Sequence, residues 1–161
     1  MIKVIVQAEP FDSAAALARL SHGRSDIGAI VSFTGLVRGT NDKGMIQAIT
    51  LEHYPAMTGK QLARIAARAQ ERWPLLGGII IHRHGRLCPG EPIVLVAIAA
   101  AHRAAAFAAA SFIMDYLKTE APFWKKETSS AGEQWVASRS TDETARARWQ
   151  DGRQNDEGDP T

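Results

Sequence analysis

The segment Asp115-Tyr116-Leu117-Lys118-Thr119-Glu120-Ala121-Pro122-Phe123-Trp124-Lys125-Lys126-Glu127 crowds three lysines, a proline and the ring pair Phe123-Trp124 into one short stretch. A proline lacks the N–H that a helix interior needs and restricts the residue before it, so a helix running into this segment ends near Pro122. Lys118 then sits on the last helical turn, and Lys125 on an extended strap just beyond. Two ammonium groups held close together repel, and burial beside Phe123 and Trp124 penalises their charge. Both effects favour the neutral amine, which can act as base, acid or nucleophile. The alternative is a solvated basic patch at a helix C-terminus, where the helix dipole favours cations.

Two further places suit anions. His102-Arg103 follows an apolar run and opens a helix, whose free N–H groups and partial positive charge attract negative groups. A cation is locally unfavourable there and needs a reason. Phe33-Thr34-Gly35-Leu36-Val37-Arg38-Gly39 ends a strand in a glycine-flanked loop, where Arg38 could grip a phosphate or carboxylate with two N–H groups. The loop lacks the Gly-Lys-Ser/Thr ending of a P-loop. His82 and His84 alternate along a strand with Arg83 between them, and no thiol or acidic ligand pattern accompanies them, so no metal site is expected. Cys88 precedes Pro89-Gly90 in a turn, and no nucleophilic role is expected of it.

The elements that position these residues follow from periodicity. Ile2 to Gln7 reads as a strand, and Asp12 or Ser13 caps a helix to about Leu20. Ala29 to Thr34 is a strand, Gly35 to Gly44 a flexible loop, and Ile46 to His53 an alternating strand. From Thr58 to Trp73 the positions Leu62, Ile65, Ala66, Ala69 and Trp73 form the stripe of an amphipathic helix, which Pro74 and Gly77-Gly78 stop. Ile79 to His84 and Ile93 to Ala100 are strands around the turn at Pro89-Gly90. His102 to about Thr119 is an alanine-rich helix, and Trp135-Val136-Ala137 a short strand. Helices and strands do not alternate strictly, which argues for an α+β fold with a mixed or antiparallel sheet rather than a doubly wound one.

Composition narrows the classes. The length suits a single domain, residues 1–150, and 45% of residues are apolar, enough for a real core. Asp151, Asp156, Glu157 and Asp159 make an acidic 151–161 tail that reads as disordered. The net charge is +2, with basic residues scattered rather than striped, which does not suit a nucleic-acid binder. No apolar run approaches the roughly 20 residues that span a bilayer, and the start lacks the pattern of a signal peptide. A lone cysteine excludes an internal disulfide and fits a reducing, cytoplasmic location.

Taken in order, several motifs resemble the large, catalytic subunit family of molybdopterin synthase. They are Val31-Ser32-Phe33-Thr34-Gly35-Leu36-Val37-Arg38, Leu51-Glu52-His53-Tyr54-Pro55-Ala56-Met57, Ala101-His102-Arg103 with Phe107, Phe112 to Thr119, Ala121 to Glu127, and Trp135-Val136. The resemblance covers roughly residues 28 to 139. It implies an α+β fold of the α/β hammerhead type with an added small antiparallel sheet. It implies transfer of sulfur to cyclic pyranopterin monophosphate, which makes the dithiolene of molybdopterin. The sulfur arrives as a C-terminal thiocarboxylate on a small ubiquitin-like subunit, so no resident cofactor and no thiol of this chain's own are implied. Two large subunits form a homodimer within a heterotetramer. By motif position, Lys118 and Lys125 match the catalytic lysines. Arg38, His102 and Arg103 match anion-binding residues, and Leu36, Val37, Lys126 and Glu127 match residues of the same pocket. Phe33, Phe123 or Trp124 could cover the pterin ring.

Two rival readings remain at this level. In one, the chain is a non-enzymatic phosphate or pterin-binding module whose lysines are only electrostatic. In the other, Trp124, Lys125 and Lys126 stack on and neutralise single-stranded nucleic acid, although the rings are few.

Overall fold

A computed structural model describes residues 1–136 and 140–149. After β1 (Ile2–Gln7), the Asp12 carboxylate accepts a hydrogen bond from the Ala15 amide at 2.9 Å and starts α1 (Ser13–Ser21). β2 (Ala29–Leu36) runs two residues further than its β-branched stretch suggests. The expected flexible loop that follows contains a small hairpin, β3 (Thr40–Asn41) with β4 (Gly44–Met45). β5 (Ala48–His53) leads to α2 (Pro55–Arg72). The helix starts before Thr58 because Pro55 fits a first turn, where its missing N–H costs nothing.

β6 (Leu75–Arg83) begins directly after Pro74, so Gly77-Gly78 lies inside a strand instead of ending the helix. A side chain at Gly78 would stand 2.9 Å from the Ala97 carbonyl oxygen and 3.0 Å from Ile2, and glycine alone lets these strands approach. β7 (Gly85–Leu87) and β8 (Pro92–Ala100) precede α3 (Arg103–Glu120). α3 ends at Ala121, beside Pro122, as proline chemistry requires. The stretch after it is β9 (Phe123–Ser129), a full strand rather than a strap, followed by β10 (Gly132–Val136) and α4 (Ser140–Ala147). Ala137 and the acidic tail lie outside the described residues.

The strands form an α+β arrangement, as expected. One mixed sheet has the order β1-β6-β8-β2, with β1 and β6 parallel and the other pairs antiparallel. A second, antiparallel sheet has the order β10-β9-β5-β7. One face of the mixed sheet, through Ile80, Val96 and Ile98, packs on Leu62 and Ile65 of α2 and on Phe112, Ile113 and Tyr116 of α3. Its other face, through Ile81 and Leu95, packs on Ala16 of α1. This explains why β8 is apolar on both faces. The second sheet has its own core of Val37, Ile46, Ile49, Leu51 and Leu87.

Past α4, the chain is locked onto α3. The Asp115 carboxylate accepts from the Trp149 indole N–H at 2.7 Å and from Arg148 at 2.6 Å, and the Trp149 ring meets Phe112 edge-on.

Candidate active site

The end of α3 and the start of β9 meet the end of β2 around a cavity of about 460 Å³. Strand alternation puts Phe123, Lys125 and Glu127 on one face of β9, and all three line the cavity. Lys118 reaches it from the last turn of α3, with Met114 one turn before and Leu117 beside it in sequence. Leu36, Val37 and Arg38 close it from the end of β2, together with Phe33 and Gly35. A side chain at Gly35 would meet Val94 Cγ1 at 2.8 Å, so this wall of the cavity requires glycine. Ile49 and Leu51 supply apolar lining from β5.

The charged groups are unevenly paired. Lys125 Nζ lies 3.2 Å from Glu127 Oε1, and Glu127 Oε2 accepts from Asn41 Nδ2 at 2.7 Å. Arg38 and Lys118 are exposed and make no hydrogen bond or salt bridge among the described residues. Arg38, Lys118 and Lys125 face Glu127 and Asp142 around the cavity, which leaves an excess of positive charge for an anion.

His82, set aside above as a metal ligand, forms part of the cavity lining. Its ring stacks on Phe123, with centroids 3.8 Å apart and planes inclined by 17°. Its Nδ1 is 2.8 Å from the Arg83 carbonyl, so Nδ1–H donates there and Nε2 carries the lone pair. Burial pushes its pKa down to about 4 against the opposing carbonyl bond, and the nearby Lys118 charge adds to the lowering. His84 pairs instead with His53, ring centroids 4.3 Å apart, and burial lowers the His53 pKa first, then the His84 charge. Among the described residues no three histidine, cysteine or acidic side chains converge as metal ligands.

Not every residue singled out in the sequence reaches this cavity. Lys126 points to the reverse face of β9, where it pairs with Glu133 at 2.9 Å and lies over the Trp135 ring. Trp124 is on that reverse face too and is exposed. Phe123 lines the cavity, but one face of its ring is already taken by His82. His102 and Arg103 are exposed at the start of α3, and Arg103 stands 15 residues before Lys118. At 1.5 Å per residue that is about 22 Å along the helix, beyond the reach of a single phosphate. Cys88 is exposed in its turn, outside the cavity.

Sequence reasoning did not find Asn41, Met114 or Asp142. Asn41 lies in the hairpin read as a loop, and Asp142 in a helix that has no large apolar stripe. Met114 is inside the recognised Phe112 to Thr119 motif, one turn before Lys118, and helical spacing alone could have placed it.

The chain is similar to known proteins over most of its length. Residues 6–120 match the family described as MoaE protein. A molybdopterin synthase catalytic subunit of Cereibacter sphaeroides is 54% identical over 148 residues, covering 92% of this chain and all of that one. A molybdopterin biosynthesis MoaE protein from Burkholderia ambifaria superposes with a TM-score of 0.80 at 51% identity, covering 93% of this chain and 99% of that one. A molybdopterin synthase from Staphylococcus aureus gives a TM-score of 0.74 at 30% identity, covering 84% of this chain and 96% of that one. With the match running through the loop of Arg38 and the helix of Lys118, this chain belongs to the MoaE protein family, whose named relatives are molybdopterin synthase catalytic subunits.

Proposed function

We propose that this chain catalyses sulfur transfer from the C-terminal thiocarboxylate of a small ubiquitin-like subunit to cyclic pyranopterin monophosphate, forming the dithiolene of molybdopterin. The observation that carries the proposal is the shared cavity, which brings Arg38, Lys118 and Lys125 together from the loop after β2, from α3 and from β9. Three cations suit a phosphate-bearing heterocycle and a thiocarboxylate tail. Sulfur attack on a carbon of the bound precursor forms a C–S bond as that carbon's C–O bond breaks and its oxygen leaves protonated, which joins the tail to the substrate as a thioester. Water then cleaves the acyl–sulfur bond, so sulfur stays on the pterin and the tail leaves as a carboxylate. A second thiocarboxylate repeats both steps at the neighbouring carbon, giving the two sulfurs of the dithiolene. Lys118, which has no salt bridge among the described residues, and Lys125, held by Glu127, supply and accept the protons and offset the developing negative charge. Because sulfur comes on the partner, no resident cofactor is required.

The anion-binding role of His102 and Arg103 fits a homodimer. The edge strand β2 and the neighbouring α3 expose Ile30, Phe33, Leu36 and Phe107. Exposed apolar residues on an edge strand mark a surface that another chain covers. In such a homodimer, His102 and Arg103 at the helix N-terminus of one copy are proposed to serve the cavity of the other. With one small subunit per cavity, the assembly is a heterotetramer.

The test is reconstitution. The purified chain, a thiocarboxylated small subunit and the cyclic precursor are mixed, and molybdopterin is assayed. Turnover is expected. Saturable binding of the precursor with no product would favour the non-enzymatic binding module instead. Among the described residues no helix is long and apolar enough to cross a membrane.

A further inference from the structure

We infer that Asn41 is a positioning residue for Lys125 and acts through Glu127. The Glu127 side chain is 14% exposed, and both of its oxygens are engaged: Oε1 by Lys125 Nζ at 3.2 Å and Oε2 by Asn41 Nδ2 at 2.7 Å. Asn41 is fixed in turn, because its Oδ1 accepts from the Lys43 amide at 2.8 Å across the turn of the β3–β4 hairpin. The reversed amide would set Oδ1 against a carboxylate and Nδ2 against an N–H, so one orientation satisfies both contacts. A carboxylate two residues from a lysine on an open strand face is free to rotate. With Oε2 held by the hairpin, Glu127 offers Oε1 to Lys125 in one place, and Lys125 retains N–H donors for an incoming anion. A hydrogen bond to a charged group is among the stronger ones, and small misplacements of a catalytic group cost large factors in rate. The hairpin thus orients one of the two cavity lysines without touching the substrate.

This inference rests on the sulfur-transfer reading, and the experiment separates the two. In the reconstituted reaction, Asn41→Ala lowers kcat by about tenfold, while KM for the cyclic precursor stays within about twofold. Lys43→Ala removes the hairpin's other side-chain tether, Lys43 Nζ to Gln134 Oε1 at 3.1 Å, and leaves kcat unchanged. In a Glu127→Ala background, Asn41→Ala causes no further loss. A second arm needs no turnover. The rate of reductive methylation of each lysine, read by peptide mass spectrometry, changes at Lys125 in Asn41→Ala and not at Lys118. An Asn41→Ala enzyme with normal kcat, a Lys43→Ala enzyme equally impaired, or an equal further loss in the Glu127→Ala background would overturn the role of Asn41. If the unmodified chain makes no molybdopterin, the sulfur-transfer reading fails, and the labelling arm alone decides for or against Asn41.

Discussion

The imidazole of His82 lies flat against the Phe123 ring, centroids 3.8 Å apart, and this stack joins β6 of the mixed sheet to the first residue of β9. Lys125 lies two residues further along the same strand face, and the Lys118 charge acts on His82 from the end of α3. The stack therefore forms part of the floor on which both lysines stand.

Because burial holds His82 neutral, stability depends on pH in a defined direction. The folded group takes a proton only near pH 4, and the unfolded one near its ordinary 6.5. Between these values the unfolded chain binds more protons, so this contribution is complete above pH 6.5 and is lost as pH falls towards 4. By pH 5 the loss is about 2 kcal/mol. Urea unfolding at pH 7.5 and pH 5 should show the unmodified chain losing more stability than His82→Gln. Equal losses would show that His82 does not titrate this way.

Phe112 is fully buried and lies against the rings of Trp73, Tyr116 and Trp149. Phe112→Ala should cost about 3–5 kcal/mol of stability, since the cavity it leaves is walled by rigid rings. Chemical denaturation would check this. A cost below about 1 kcal/mol would mean that α2, α3 and the segment after α4 do not share one core.

Cys88 is exposed in a turn outside the cavity, and in the proposed reaction the sulfur arrives on the partner. Cys88→Ser should transfer sulfur at the normal rate in the reconstituted assay. An inactive but folded Cys88→Ser protein would show that the Cys88 thiol takes part in the reaction.

His102 and Arg103 stand about 22 Å along α3 from Lys118 and serve a cavity in the proposed homodimer only across the subunit boundary. Arg103→Ala and Lys118→Ala chains should each be nearly inactive alone. Unfolded together and refolded as a mixture, they should regain up to about a quarter of normal activity per chain, because mixed dimers hold one intact site. No recovery would confine the two residues to a role within their own chain.

Most of the fold was legible because its strongest signals are local. The Leu62-Ile65-Ala66-Ala69 stripe, the apolar run of β8 and the break at Pro122 each act over a few residues. β9 was not legible, since Phe-Trp-Lys-Lys-Glu-Thr-Ser shows no alternation in polarity. It is a strand because β5 and β10 pair with it on both sides, a long-range fact. For the same reason Lys126 was grouped with Lys125, and pairing as a strand sends the two neighbours to opposite faces. The two-residue strands of the hairpin carry no periodicity, and so Asn41 was missed. The resemblance identified Arg38, Lys118 and Lys125, and the pairing of β9 with β5 explains how a strand residue comes to share a cavity with a helix end.

The most direct measurement is the amount of molybdopterin formed from the cyclic precursor and a thiocarboxylated small subunit by the unmodified chain, Lys118→Ala and Lys125→Ala, each confirmed folded by its unfolding transition. The account predicts turnover by the unmodified chain and a loss of at least about a hundredfold in each variant. Near-normal product from both variants would contradict it.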